Sequence, residues 1–227
     1  MKLKVPLLCA IAILVGPVFG GEIGIPRADV ELDANKGAFD FDGLGPGINL
    51  GNSEILDFSG SNFTVQAWVK VISDCNDSGA GSGPPCDMSI VDKMASIDSV
   101  NNYGWRLLKQ SDGHFWFCLG GGPDNGCNDG VNTTVIGKSV VATGVWYNVV
   151  AVKTSSRLSL YVNGARDGTT LLGGFFDASD APVLVGGNTF EGAYLVGQIG
   201  QVQLYKTALS GLQVFALYEW SKAKYAY

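Results

Sequence analysis

The last third of the chain, from Trp146 to Leu217, is a run of short segments with a two-residue period: WYNVVAVK, RLSLYVNG, PVLVGG and YLVGQIGQVQLY. That period puts successive side chains on opposite faces of a pleated strand, and the Asn-Gly and Gly-Gly steps supply tight turns. Strands so closely spaced can pair only antiparallel, because a parallel pair needs a crossover of about a dozen residues or more. The tail TALSGLQVFALYEW then reads as one short helix, with Ser210 as its N-cap, running from Gly211 to Ser221. Leu212, Phe215 and Leu217 are expected to pin it down. The pattern predicts an all-β fold, a two-sheet antiparallel β-sandwich with one short C-terminal helix.

The other end has a different job. Lys2 and Lys4 form a short basic start, Val5 to Val15 an apolar run, and Val18 and Gly20 are small residues before Gly21. The run is too short to span a bilayer, so residues 1–20 are expected to be a signal peptide and 21–227 a single domain. Cys9 lies inside the apolar run after Leu7 and Leu8, which does not fit a lipid-attachment site. The protein is expected to be secreted or held at the cell surface, the periplasm included.

Without Lys2 and Lys4, thirteen basic side chains face twenty-one acidic ones, and no Lys/Arg cluster stands out. This excludes nucleic acid and an anionic membrane surface as partners and disfavours polyanionic sugars, while neutral sugars are not repelled. Four cysteines follow Gly21: Cys75, Cys86, Cys118 and Cys127. An even count in an exported chain reads as two disulfides. Cys75–Cys86 and Cys118–Cys127 are the expected pairs, each bracketing a Gly/Asn/Asp-rich loop. Zinc is the rival reading, but CxxC spacing and histidine partners are missing.

Further upstream, Ala28 to Leu32 and Gly37 to Phe41 read as opening strands, with a turn at Asp42-Gly43. In FTVQAWVKVI, from Phe63 to Ile72, Phe63, Val65, Ala67, Val69 and Val71 share one face; Thr64, Gln66, Trp68 and Lys70 take the other. Strands follow at Ser89 to Lys93, Tyr103 to Lys109 and His114 to Leu119, the last two joined by a turn at Ser111-Asp112-Gly113.

Read in order, AFDFDG, FTVQAWVKV, YGWRLLKQSDGHFWFCLG, GVWYNVVAVKTSSRLSLYVNG, LVGGN and GQIGQVQLYKTALS resemble the laminin-G-like, concanavalin A-like lectin/glucanase jelly-roll family. The resemblance covers most of the chain after Gly21. It implies a two-sheet jelly roll, often extracellular, often binding glycans or proteins, and sometimes holding a structural calcium. One departure is visible: Gly200 and Gln201 stand where the family's closing strand usually carries an acidic pair. That removes carboxylates from a place where related domains help hold the ion.

For chemistry, hydrolysis on such a sandwich needs two carboxylates projecting from one strand face, and no Glu-x-Asp-x-Glu series occurs. Asp40 and Asp42 come nearest, with Asp42 in a turn. Gln198-Ile199-Gly200 lacks the histidine that lyase-like relatives place there, and His114 is the only histidine in the chain. Binding is better served. In HFWFC, Phe115 and Phe117 fit the core, which leaves His114 and Trp116 together on the opposite face. An indole there can stack on a sugar ring while the imidazole hydrogen-bonds a hydroxyl; the alternative packs Trp116 beneath the Cys118–Cys127 loop. The loop after Gly120 offers Asp124, Asn125 and Asp129 to calcium, with Asp42 a further candidate, although Asn, Asp and Gly equally suit a tight loop. The sequence thus reads as a non-catalytic recognition module for a glycan or a surface protein, met by loops and one sheet face. An adhesive protein that self-assembles is the second reading, and a polysaccharide hydrolase or lyase the third.

Overall fold

The computed structural model describes residues 24–34, 37–56, 58, 61–73, 87–96, 102–121, 127, 132–173, 179–189 and 192–225. The strands in chain order are β1 (Val30–Asp33), β2 (Phe39–Asp42), β3 (Ile48–Asn49), β4 (Phe63–Val71), β5 (Met88–Asp92), β6 (Ala95–Ser96) and β7 (Asn102–Lys109). Then come β8 (His114–Gly120), β9 (Thr134–Val140), β10 (Trp146–Lys153), β11 (Arg157–Val162), β12 (Ala165–Leu171), β13 (Leu184–Val185) and β14 (Val196–Tyr205). The helix α1 spans Gly211–Ser221.

These strands form two seven-stranded sheets. Sheet A runs β1-β14-β4-β10-β11-β12, with β2 also on β14; sheet B runs β3-β13-β5-β7-β8-β9, with β6 on β7. Within sheet A, β2 pairs with Val196 to Ile199 and β1 with Gln201 to Leu204, so the two share one edge of β14 end to end. The register of β14 against β4 shifts between Ile199 and Gln201, at Gly200.

The core lies between the sheets. Phe63, Val65, Ala67, Val69 and Val71 of β4 all enter it, as their alternation predicts, against Leu107, Phe115, Phe117 and Leu119 of sheet B. Phe63 stacks on Phe58 at 5.1 Å and meets Phe117 edge-on at 6.0 Å, so one aromatic contact ties the two layers. Each such side chain contributes roughly 1.5–3 kcal/mol by leaving water. Along one side the sandwich closes where β12 approaches β9. A Cβ on Gly168 would overlap the Ile136 carbonyl, and Ser139 donates through its N–H and hydroxyl to the Asp167 carboxylate.

Asp42-Gly43 turns as expected: Gly43 has φ 76° and the Leu44 N–H donates to Asp42 Oδ1 at 3.0 Å. Asn163 and Gly164, both left-handed, turn β11 into β12. The opening strands start two residues later than the sequence reading put them, and β9 was not anticipated. The helix begins and ends where predicted, fixed by a reciprocal cap in which Ser210 Oγ accepts from the Gln213 N–H and Gln213 Oε1 from the Ser210 N–H. Its buried face needs correction. Val214, Leu217 and Ser221 face the sheet, while Leu212 and Phe215 remain 58 % and 48 % exposed. The helix is apolar on both sides, so its composition did not select the face; the cap sets its phase.

Candidate ligand-binding site

The outer faces of the two sheets differ. On sheet A, Val150, Val152, Tyr161 and Tyr205 pack under Leu209, Val214 and Leu217, so the C-terminal helix seals that face. Beyond the helix, the Tyr225 ring lies 4.5 Å from Trp68 and 5.0 Å from Trp146. Burial first, then the carboxylates of Glu31 and Asp29, holds the Tyr205 phenol protonated well above its ordinary range.

Among the described residues no helix lies across the outer face of sheet B. Cross-strand pairing lines up one row there: Asn49, Leu184, Asp92, Arg106, Cys118 and Thr134, one from each strand of the sheet path. At about 4.8 Å between strands the row extends on the order of 24 Å. A second row, Ser89, Leu108, Trp116 and Ile136, runs beside it.

Asp92 organises the first row. Its Oδ2 accepts from Arg106 Nε at 2.5 Å, Asn188 Nδ2 at 2.7 Å and Ser89 Oγ at 3.0 Å, and its Oδ1 from the Met94 N–H at 2.6 Å. Asp92 and Arg106 are each 1 % exposed. Four donors hold the carboxylate, and its bond to Arg106 Nε fixes the plane of the arginine. Nearby, Lys93 Nζ donates to Asn52 Oδ1 and to the Ala181 carbonyl. Gly104 has φ 98°, and a Cβ on it would overlap the Lys93 carbonyl, so only glycine lets β7 pass this close to the site.

His114 and Trp116 do share the outer face of sheet B, opposite Phe115, Phe117 and Leu119. Their surroundings are tighter than an open stacking platform. Trp116 is 6 % exposed and packs with Met94, Leu108, Cys118, Cys127 and Ile136. Its Nε1 donates to Asp112 Oδ2 at 3.0 Å, while Asp112 Oδ1 accepts the His114 N–H at 2.9 Å. His114 Nδ1 lies 3.1 Å from the Ser139 carbonyl, which can only accept, so Nδ1 donates there. Arg106 and Trp116 are diagonal neighbours on adjacent strands, about 7–8 Å apart.

The Cys118–Cys127 disulfide is present, with Cα atoms 5.2 Å apart, and it holds Cys127 against the Trp116 cluster. Cys75 and Cys86 lie outside the described residues, as do the calcium candidates Asp124, Asn125 and Asp129. Asp42 is exposed and caps its own turn through the Leu44 N–H. Among the described residues no three His, Cys, Asp or Glu side chains gather in a way that could hold a metal ion. Asp92, Arg106, Asn188 and Asp112 were missed from sequence. The only signal was a set of polar residues at outward positions of strands, with Asp112 read as a turn residue alone.

The fold defines a class, the two-sheet antiparallel jelly roll. The chain belongs to the concanavalin A-like lectin/glucanase superfamily, whose family model matches residues 42–215. Among solved structures it is similar to the CBM40 module of a Ruminococcus gnavus IT-sialidase bound to α2,3-sialyllactose. That match has 15 % identity and a TM-score of 0.61, covering 84 % of this chain and 98 % of that one. It is also similar to domain 4 of AbnA, a GH43 extracellular arabinanase from Geobacillus stearothermophilus, in complex with arabinotriose. Here identity is 19 % and the TM-score 0.57, with 83 % of this chain and 80 % of that one covered. No curated protein matches the chain in sequence. No helix among the described residues is long and apolar enough to cross a membrane.

Proposed function

We propose that this protein is a secreted, non-catalytic recognition module for a neutral oligosaccharide, read on the outer face of sheet B from the His114 side. The observation that carries this reading is the set of groups on the outer face of sheet B, where no described helix lies: a fixed arginine, an indole and an imidazole in three neighbouring rows, with His114 the least buried of the three. Planar donors and acceptors beside an aromatic ring are the groups that bind sugar hydroxyls and C–H faces. The two similar structures support the class of ligand, since each is a module bound to an oligosaccharide. The acidic balance favours a neutral sugar over the sialylated one.

Isothermal titration with neutral arabino-, gluco- and galacto-oligosaccharides, alongside sialyllactose, tests this. A neutral ligand should bind, and His114→Ala and Trp116→Leu should each weaken it about tenfold, or 1.4 kcal/mol. Binding only of sialyllactose, no binding at all, or shortening of the saccharide during incubation would each reject the reading.

Self-association keeps one specific observation in its favour: Leu212, Phe215 and Trp220 are exposed on α1. Size exclusion of the same sample separates the two, because a recognition module elutes as a monomer with or without sugar.

A further inference from the structure

The outer face of sheet A carries polar groups that its own helix leaves unsatisfied. Gln66, Asn148 and Gln201 are each fully buried. Both amide atoms of Gln66, both of Asn148 and the Oε1 of Gln201 have no hydrogen-bond partner. They sit together: Trp68 is flanked in register by Asn148 on β10 and Gln201 on β14, and Gln66 lies two residues along β4 on the same face. A buried amide without a partner forfeits the bonds it made with water, so five such atoms in one patch call for a ligand that can meet them.

Beside this patch is a slot shaped for a flat ring. Trp68 and Trp146 form its walls, and Gly200 forms its floor, where any Cβ would overlap the ring now lying there. That ring is Tyr225, which stacks on Trp68 at 4.5 Å with 26° between planes. It is delivered by the single 3₁₀ turn Lys222–Lys224, whose end is closed by one backbone bond from the Tyr225 N–H to the Lys222 carbonyl. Glu31 holds the Nε2 of Gln201, Asp33 pairs with Lys224 at 2.9 Å and Lys70 Nζ lies 5.1 Å from the Trp146 ring centroid, so charges of both signs edge the slot and a neutral ring meets no net repulsion.

We propose that the Trp68–Trp146–Gly200 slot is a second binding site, for one ring of a neutral sugar, and that the Tyr225 side chain fills it as a removable plug. Indole faces would take the ring's C–H surface, and the amides of Asn148 and Gln201, in register with Trp68, would take its hydroxyls. The α1 helix stays in place; only the turn after it has to swing. A plug seated nine-tenths of the time lowers the apparent affinity about tenfold, because only the open fraction binds.

The test is made on the full chain carrying His114→Ala and Trp116→Leu together, which each weaken the sheet B site and so keep the two proposals separable. Adding Tyr225→Ser should tighten neutral-oligosaccharide binding about tenfold, and further adding Asn148→Leu and Gln201→Met should abolish the gain. Unchanged affinity in Tyr225→Ser, or a gain that survives loss of the amides, would overturn the proposal. In the unmutated protein, proton NMR gives a readout that needs no variant to fold. Saturating neutral oligosaccharide should move the Tyr225 ring signals, shifted by two indoles, toward random-coil values. Signals that stay put would equally overturn it.

Discussion

Asp92 shows how much one side chain can hold. Its carboxylate joins β5, β7, the Asn188 segment and the backbone at Met94, all within a buried patch. Replacing it breaks a buried ion pair with the Arg106 guanidinium, and breaking such a pair costs about 3–5 kcal/mol. Asp92→Asn, which keeps the shape, should therefore lower unfolding free energy by about 3 kcal/mol in urea denaturation. A loss under about half a kcal/mol would mean that the carboxylate's bonds are replaceable by water. None of this was legible in advance. Asp92 and Arg106 are fourteen residues apart in the sequence, and alternation says only that both point outward. Which outward residue meets which depends on register, here altered by a bulge between Ser89 and Val91. Trp116 teaches the same lesson from the other side. Its face was readable from HFWFC, but its burial depends on what the disulfide lays over it.

Among the elements, β4 and the β11–β12 hairpin were the most readable, because each follows a local rule. The period of two fixes the inward set of β4, and Asn163-Gly164 supplies the left-handed pair a tight turn requires. The strand β9 escaped because TVIGKSV combines a glycine with polar residues at positions that alternation would make apolar. Gly137 is there for close approach, since a Cβ would meet the Asp167 carboxylate and the Leu160 side chain. The helix α1 was readable in extent and misread in face, for want of a polar side to contrast with Val214 and Leu217. The Cys118–Cys127 link, nine residues apart, was readable from the cysteine count and its bracketing of a turn-rich loop. Closing so short a loop is worth about 3 kcal/mol in the chain-entropy model. The paired variant Cys118→Ala/Cys127→Ala should lose about that much in denaturant unfolding, and Trp116 should become open to acrylamide quenching. Full stability with an unquenched Trp116 would show that packing alone holds the loop.

At the scale of the whole molecule, the two outer faces differ in what packs on them: α1 lies on sheet A, while among the described residues no helix lies on sheet B. Burial raises the Tyr225 phenol pKa, helped by Asp33 and Glu31, so the ring stays neutral against Trp68 throughout the physiological range. The acidic balance, the two-sheet sandwich and its C-terminal helix were all legible from composition and period, because they depend on sums and repeats, while the jelly roll was what the family resemblance implied. The choice of face was not, because it depends on which residues the helix happens to cover. That choice is the central claim, and nitrogen-15 chemical-shift mapping with a neutral oligosaccharide tests it most directly. The account predicts the largest shifts at Trp116 Nε1–H and at the backbone amides of Arg106, Asp112 and His114. Shifts confined to loops away from sheet B, or none at saturating sugar, would contradict it.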